Sequence, residues 1–157
     1  MSEETGILGH AYYMREALKL AKRAYEEDEV PVGAVLVQNG LIIAKAYNQT
    51  EMLSDTTAHA EILAITAASA ALGSKFLDDT TLYVTLEPCL MCAGAIKWSR
   101  IAQLVIAASD PKEGYLSKYH ITDALHPRTN VLQGILETEA SALLSDFFQQ
   151  KRKKSSR

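Results

Sequence analysis

Apolar and polar positions follow two rhythms along this chain, and the rhythm changes wherever turn residues fall. In "AYYMREALKLAKRAYEEDE", residues 11–29, apolar positions recur at Met14, Ala17, Leu18, Ala21 and Ala24. That three-and-four spacing predicts an amphipathic helix. Pro31 bars its continuation, because a proline ring pushes the residue before it out of the helical region. "VGAVLVQNGLIIAKAYN" reads as two strands joined at Asn39-Gly40, a pair suited to the positive φ angles of a tight hairpin. "TAHAEILAITAASAAL" predicts an alanine-rich helix with Thr57 as its N-cap and Gly73 as its stop. "TTLYVTL" predicts a strand. Pro88 marks the start of the short helix "LMCAGAIKWS", and "QLVIAA" predicts another core strand. Residues 108–129, broken by Pro111, Gly114 and Pro127, form a connection long enough to suggest function. "NVLQGI" is a short last strand and "ETEASALLSDFFQQKRKK" a closing helix. A hairpin followed by strands alternating with helices predicts an α/β fold, a mixed sheet held between helix layers.

Composition narrows the class. The chain has 157 residues, 48% hydrophobic and 22% charged, which suits one globular domain over 1–157 and excludes a disordered chain. No internal repeat divides it. No apolar run approaches the ~18 residues of a membrane span, and "MSEETGILGH" lacks a basic-then-apolar leader. A soluble, cytoplasmic protein with no membrane partner is expected. The net charge of −3 is unevenly spread. The tail "KRKKSSR", 151–157, carries five basic residues, leaving eleven against nineteen acidic ones in the body. Such a tail either meets phosphates or frays as a solubilising end.

Only two cysteines are present, Cys89 and Cys92, three apart. They cannot form a disulfide framework, and such a pair in a reducing compartment points to metal or redox use. A third candidate ligand, His59, lies 30 residues before Cys89. Two thiolates and an imidazole suit zinc, and three protein ligands leave the open position of a catalytic site. Water on such a zinc ionises near pH ~7. Glu61 follows His59 by two positions. Residues so spaced do not share a helix face, but the constraint relaxes if His59 precedes the first turn. Glu61 would then be placed to shuttle protons. Both ligand sets would lie at helix N-termini, whose partial positive charge favours thiolates. His-Ala-Glu followed by Pro-Cys-Leu-Met-Cys, with a strand between, is the signature of zinc nucleobase deaminases.

Beyond that signature, "EVPVGAVLV", "TAHAEI", "TLYVTLEPCLMCAGAI", "SRI" and "ALLSDFF" resemble the bacterial tRNA-specific adenosine deaminases, within the cytidine-deaminase-like superfamily. The resemblance implies a three-layer α/β/α fold with a five-stranded mixed sheet, a homodimer, and one Zn2+ per subunit held by His59, Cys89 and Cys92. It implies conversion of adenosine to inosine at the wobble position of a tRNA anticodon loop. Zinc-bound hydroxide would attack C6, with Glu61 as proton shuttle. It implies substrate contacts at Asn48, Ala60 and Asp110, and at His126 along an RNA groove. Read from their own surroundings, Asn48, Asp110 and His126 fit equally ordinary turn or loop positions. The chain departs from the family's usual pattern at Thr56 and at Glu113, Tyr115 and Tyr119. Those two tyrosines suit stacking on splayed bases or packing of the loop.

Three other readings remain open. A free-base or nucleoside deaminase for guanine, cytosine or cytidine would use the same zinc chemistry, and would need a C-terminal segment closing over the pocket. A redox module leaves His59 and Glu61 unexplained, and a closed structural zinc wants a fourth ligand, for which His10, His120 and His126 lack suitable spacing. An inactive RNA-binding partner subunit is at odds with Glu61 being present.

Overall fold

The computed structural model describes residues 7–155. Nine elements follow in the order helix α1 (Ile7–Glu26), strands β1 (Gly33–Gln38) and β2 (Leu41–Tyr47), α2 (Ala60–Leu72), β3 (Thr80–Leu86), α3 (Leu90–Ser99), β4 (Gln103–Ala108), β5 (Asn130–Gln133) and α4 (Glu137–Ser155). The expected mixed sheet has five strands in the order β2-β1-β3-β4-β5. β1 pairs antiparallel with β2 and β3, whereas β3–β4 and β4–β5 are parallel.

Alternation along the central strands builds two cores. Ala34, Leu36, Leu82, Val84, Leu104 and Ile106 face α2 and α3. Val35, Val37, Tyr83, Val105 and Ala107 face α1 and α4. Both faces are covered, so the inner strands are buried almost throughout. Ala60, Ala64 and Ala68 form a one-turn-spaced stripe that brings α2 close to the sheet. Gly33 performs the same service for α1: a Cβ there would lie 2.0 Å from the carbonyl oxygen of Ala17.

The turn signals act where the sequence places them. Asn39 and Gly40 take φ of 51° and 76° and close the β1–β2 hairpin, and Tyr13 Oη donates to the Gly40 carbonyl at 2.7 Å. Gly73 ends α2 in the left-handed region, at φ 63°. Other boundaries move. α1 stops at Glu26, ahead of Pro31, because Asp28 turns left-handed at φ 63° and the Glu29 amide bonds back to Ala24. Thr57 does not cap α2. Its amide and hydroxyl both donate to Asp55 Oδ1, at 2.8 and 2.7 Å, in a turn before the helix, and His59 is the cap residue instead. The last strand ends at Gln133, before Gly134 at φ 90°. The basic tail is helical rather than frayed as far as Ser155; residues 156 and 157 lie outside the described residues. Lys151 secures that last stretch to the turn after α1 through a 2.9 Å ion pair with Asp28.

One buried ionisable pair sits in the α1 core. His10, 5% exposed, places Nδ1 2.7 Å from Tyr83 Oη, with Tyr13 stacked obliquely on the Tyr83 ring. Burial lowers the His10 pKa below its usual 6.5. The unfolded chain therefore takes up this proton first as pH falls, and stability contributed above pH 6.5 is lost on the way down through the lower folded value. Wild-type Tm is expected to fall between pH 7.5 and 5.5, and part of that fall is expected to vanish in His10→Gln. Differential scanning fluorimetry of both proteins at the two pH values checks it; equal falls would exclude His10 as a contributor.

Candidate metal centre and cleft

Two helices begin with residues that cannot cap them. Asparagine, aspartate, serine or threonine would normally stand at the cap and accept an N–H bond from the first turn. His59 caps α2 and Cys89 caps α3, each in extended backbone and neither making a side-chain cap bond. Their side chains are turned toward each other instead. His59 Nδ1 lies 3.7 Å from Cys89 Sγ and 3.5 Å from Cys92 Sγ. Cys92 enters from the first turn of α3 and is fully buried.

These separations suit one tetrahedral ion. Zn–S bonds of about 2.3 Å and Zn–N bonds of about 2.0–2.1 Å set sulfur and nitrogen about 3.5 Å apart across a tetrahedral edge. The three donor atoms all lie within 4.8 Å of one another, and no other such cluster of three occurs among the described residues. The donor set is soft and borderline, as zinc requires. His59, Cys89 and Cys92 therefore fit the ion.

The position of Glu61 resolves the spacing problem posed by His-Ala-Glu. His59 stands outside α2 and Glu61 one residue inside it, so both reach the same point from the helix end. Glu61 is 4% exposed, and burial pushes its carboxyl up to about 7. Of the two thiols, Cys89 ionises first, drawn down to about 4 by a hydrogen bond from Cys92 and a further one with His59. Cys92 is pushed up, because it holds its proton against the Cys89 sulfur and is itself buried. The bond to Cys89 raises His59 against the opposing effect of burial.

A cleft of about 610 Å³ opens beside these groups, within the range of small-molecule sites. Val30, Val32, Leu86 and Met91 give it apolar walls, and Asn48, Ala60, Glu61, Asp110 and Glu113 also line it. Asn48 is buried; its Nδ2 donates weakly to the Val30 carbonyl at 3.4 Å, while Oδ1 has no partner. A buried acceptor left unpaired is costly, and this one belongs to a residue lining an open cleft. Asp110 has a local task as well, since its Oδ1 accepts the amides of Lys112 at 3.0 Å and Glu113 at 3.3 Å. His126 is not among the lining residues. It lines two other depressions, of about 730 and 650 Å³, along with Lys97. Tyr115 is buried and packs the loop onto the body, whereas Tyr119 is 40% exposed and donates to Glu113 Oε2 at 3.0 Å.

Two residues escaped the sequence reading. Glu29 and Glu87 are 1% and 2% exposed. Glu29 accepts the amides of Glu51 and Met52 at 2.9 and 2.8 Å. Glu87 accepts from Asp110, Leu116 and Ser117. Each holds one of the two loops that wall the cleft. A signal existed for Glu87: an acid ending a buried strand must find partners.

Known proteins share this arrangement. Residues 9–108 match the cytidine and deoxycytidylate deaminase zinc-binding region. A tRNA-specific adenosine deaminase of Bacillus subtilis is 49% identical over 145 residues, 90% of each chain. A structure solved in a study of A-to-I editing by tRNA:A34 deaminases at the wobble position of transfer RNA is 44% identical, with a TM-score of 0.79 over 85% of this chain and 99% of that one. The guanine deaminase of Nitrosomonas europaea is more distant, 28% identical with a TM-score of 0.74 over 87% and 83%. By its zinc-binding region and its identity to those relatives over nearly their full length, the chain belongs to the zinc-dependent deaminase family that includes the tRNA-specific adenosine deaminases.

Proposed function

We propose that this protein converts adenosine to inosine at the wobble position of a tRNA anticodon loop. The observation that carries the reading is the cleft itself: three converging zinc donors, a buried glutamate beside them, and a mouth lined by no α4 residue. A free-base deaminase needs its ligand enclosed, and here the C-terminal helix leaves the mouth open to a polymer. Zinc bound by His59, Cys89 and Cys92 supplies a Lewis acid and makes water nucleophilic at neutral pH.

The chain's own groups do the rest. Glu61 takes a proton from the attacking water and passes it to N1 of the adenine ring, then takes the remaining proton from the new C6 hydroxyl and delivers it to the departing amine. The C6–N bond breaks, a C6–O bond forms, and ammonia leaves. A carboxyl poised near 7 suits both giving and taking protons. Asn48 Oδ1, held ready by the Nδ2 bond to Val30, takes a hydrogen-bond donor of the base. Ala60 lies against the base, and Asp110 and Glu113 meet the neighbouring nucleotide. A loop base is already largely unpaired, so its extrusion costs less than the few kcal/mol of a duplex base. His126 belongs to a flank beyond the cleft that longer RNA reaches. Incubation with a synthetic anticodon stem-loop, read by mass for adenosine-to-inosine conversion, tests the reading. Ammonia from free guanine or cytosine with none from the stem-loop would replace it.

The basic end of α4 extends the RNA surface. Deleting residues 151–157 is expected to weaken stem-loop binding several-fold at low salt and to flatten its salt dependence, since each lost phosphate contact removes nearly one counterion from the slope. Fluorescence anisotropy across a salt series measures it, and an unchanged slope would exclude the tail.

The assembly we propose is a homodimer, working in the cytoplasm where tRNA is found. Leu90, Met91 and Trp98 leave one side of α3 apolar and exposed, Trp98 by 80%. Trp98→Lys is expected to give a monomer by analytical ultracentrifugation; an unchanged wild-type mass would place the contact elsewhere. No helix among the described residues is long and apolar enough to cross a membrane.

A further inference from the structure

The loop that follows β4 carries Asp110 and Glu113 into the cleft wall, yet its residues form no strand or helix that would hold it. What holds it is one buried carboxylate. Glu87 Oε1 accepts the Asp110 amide at 3.0 Å and the Ser117 hydroxyl at 2.5 Å. Its Oε2 accepts the amides of Leu116 at 3.0 Å and Ser117 at 2.9 Å. All four bonds reach a single loop, and no lysine or arginine forms an ion pair with this carboxylate among the described residues. The loop is also shaped to receive it. A Cβ on Gly114 would fall 2.2 Å from Glu87 Oε2, so only glycine lets the chain close this far. The neighbouring backbone repeats the tie: the Tyr115 amide donates to the Pro88 carbonyl at 3.0 Å, and the Glu87 amide to that of Ala108 at 2.8 Å. Glu87 stands two residues before Cys89, so the segment that presents a zinc donor also grips the opposite wall.

We infer that Glu87 is a positioning residue that sets the register between the zinc donors and the loop that meets the nucleotide beside the target, and so governs affinity for RNA. The inference rests on the deaminase reading above. Its consequence follows from the geometry. Glutamine is isosteric but turns one acceptor into a donor, which must then face a backbone N–H. The loop shifts while His59, Cys89 and Cys92 stay in place. Binding by the loop wall is uniform between bound substrate and transition state, so its loss raises KM and spares kcat. A merely structural defect does the reverse: it removes active molecules, lowering apparent kcat at unchanged KM.

The test uses full-length Glu87→Gln and Gly114→Ala, and the milder Ser117→Ala. Stem-loop kinetics, zinc content and hydrogen exchange are read for each. For Glu87→Gln we expect KM raised at least tenfold, kcat within threefold, full zinc, and faster exchange confined to 110–117. Gly114→Ala is expected to act likewise from the other side of the contact, and Ser117→Ala to do so more weakly. An unchanged KM, or exchange at 110–117 as slow as in wild type, would overturn the inference. If wild type leaves stem-loop adenosine intact, the deaminase reading fails instead, and the exchange arm still decides whether Glu87 orders the loop. If Glu87→Gln does not fold, Gly114→Ala decides by the same KM criterion.

Discussion

Glu61→Gln is expected to lower kcat on an anticodon stem-loop by about 10²–10⁴-fold, the usual share of general acid–base catalysis, while zinc content stays at one per chain. Glutamine fills the same volume and cannot relay a proton. It also carries no charge, and burial already opposes the charge of Glu61. Tm is therefore expected to hold or rise, the familiar exchange of activity against stability at a strained site. Single-turnover kinetics, metal analysis and calorimetry on the same preparation check all three. Turnover within tenfold of wild type would remove Glu61 from its proton role, and lost zinc would make it a ligand instead.

The second large effect is on the metal. Cys92 is fully buried and contributes one of three donors. Cys92→Ser exchanges a soft thiolate for a hydroxyl that stays protonated at neutral pH, so zinc occupancy is expected to fall below about a tenth after dialysis, and turnover with it. Serine is smaller and keeps the helix, so the sheet and both cores are expected to survive. Far-ultraviolet circular dichroism close to wild type, with a Tm lowered by several degrees, is the expected signature. A fully loaded Cys92→Ser protein would show that the third donor lies elsewhere.

Some of this molecule is legible residue by residue, for a local reason. Asn39-Gly40 and Gly73 supply backbone angles that few other residues adopt, so a short window suffices to place the hairpin and the end of α2. The metal centre was legible because histidine and two cysteines are scarce and chemically particular, whatever their separation. Thr57 misled because its hydroxyl has a nearer taker in Asp55, two residues away. Charge alone could not reveal that Lys151 pairs with Asp28 in the turn after α1, 123 positions earlier in the chain. Glu87 and Glu29 were missed for the same reason. Their partners lie 22 to 30 residues away, and only the folded loops bring backbone amides to them. His126 shares a long connection with Asp110, but that connection turns away from the cleft before it arrives.

Two helices that start on a histidine and a cysteine forgo about 0.5–2 kcal/mol each that an ordinary first residue would supply. Ala60 and Ala93 tie those ends to one hydrophobic layer, but most of both layers lies beyond them. A newly made chain is thus expected to condense without waiting for its ion, with two slack helix tips at the entrance. Metal capture then acts as a late fastener, drawing both tips together. Cells starved of zinc are expected to hold a compact, idle form of this protein that zinc reactivates without new synthesis.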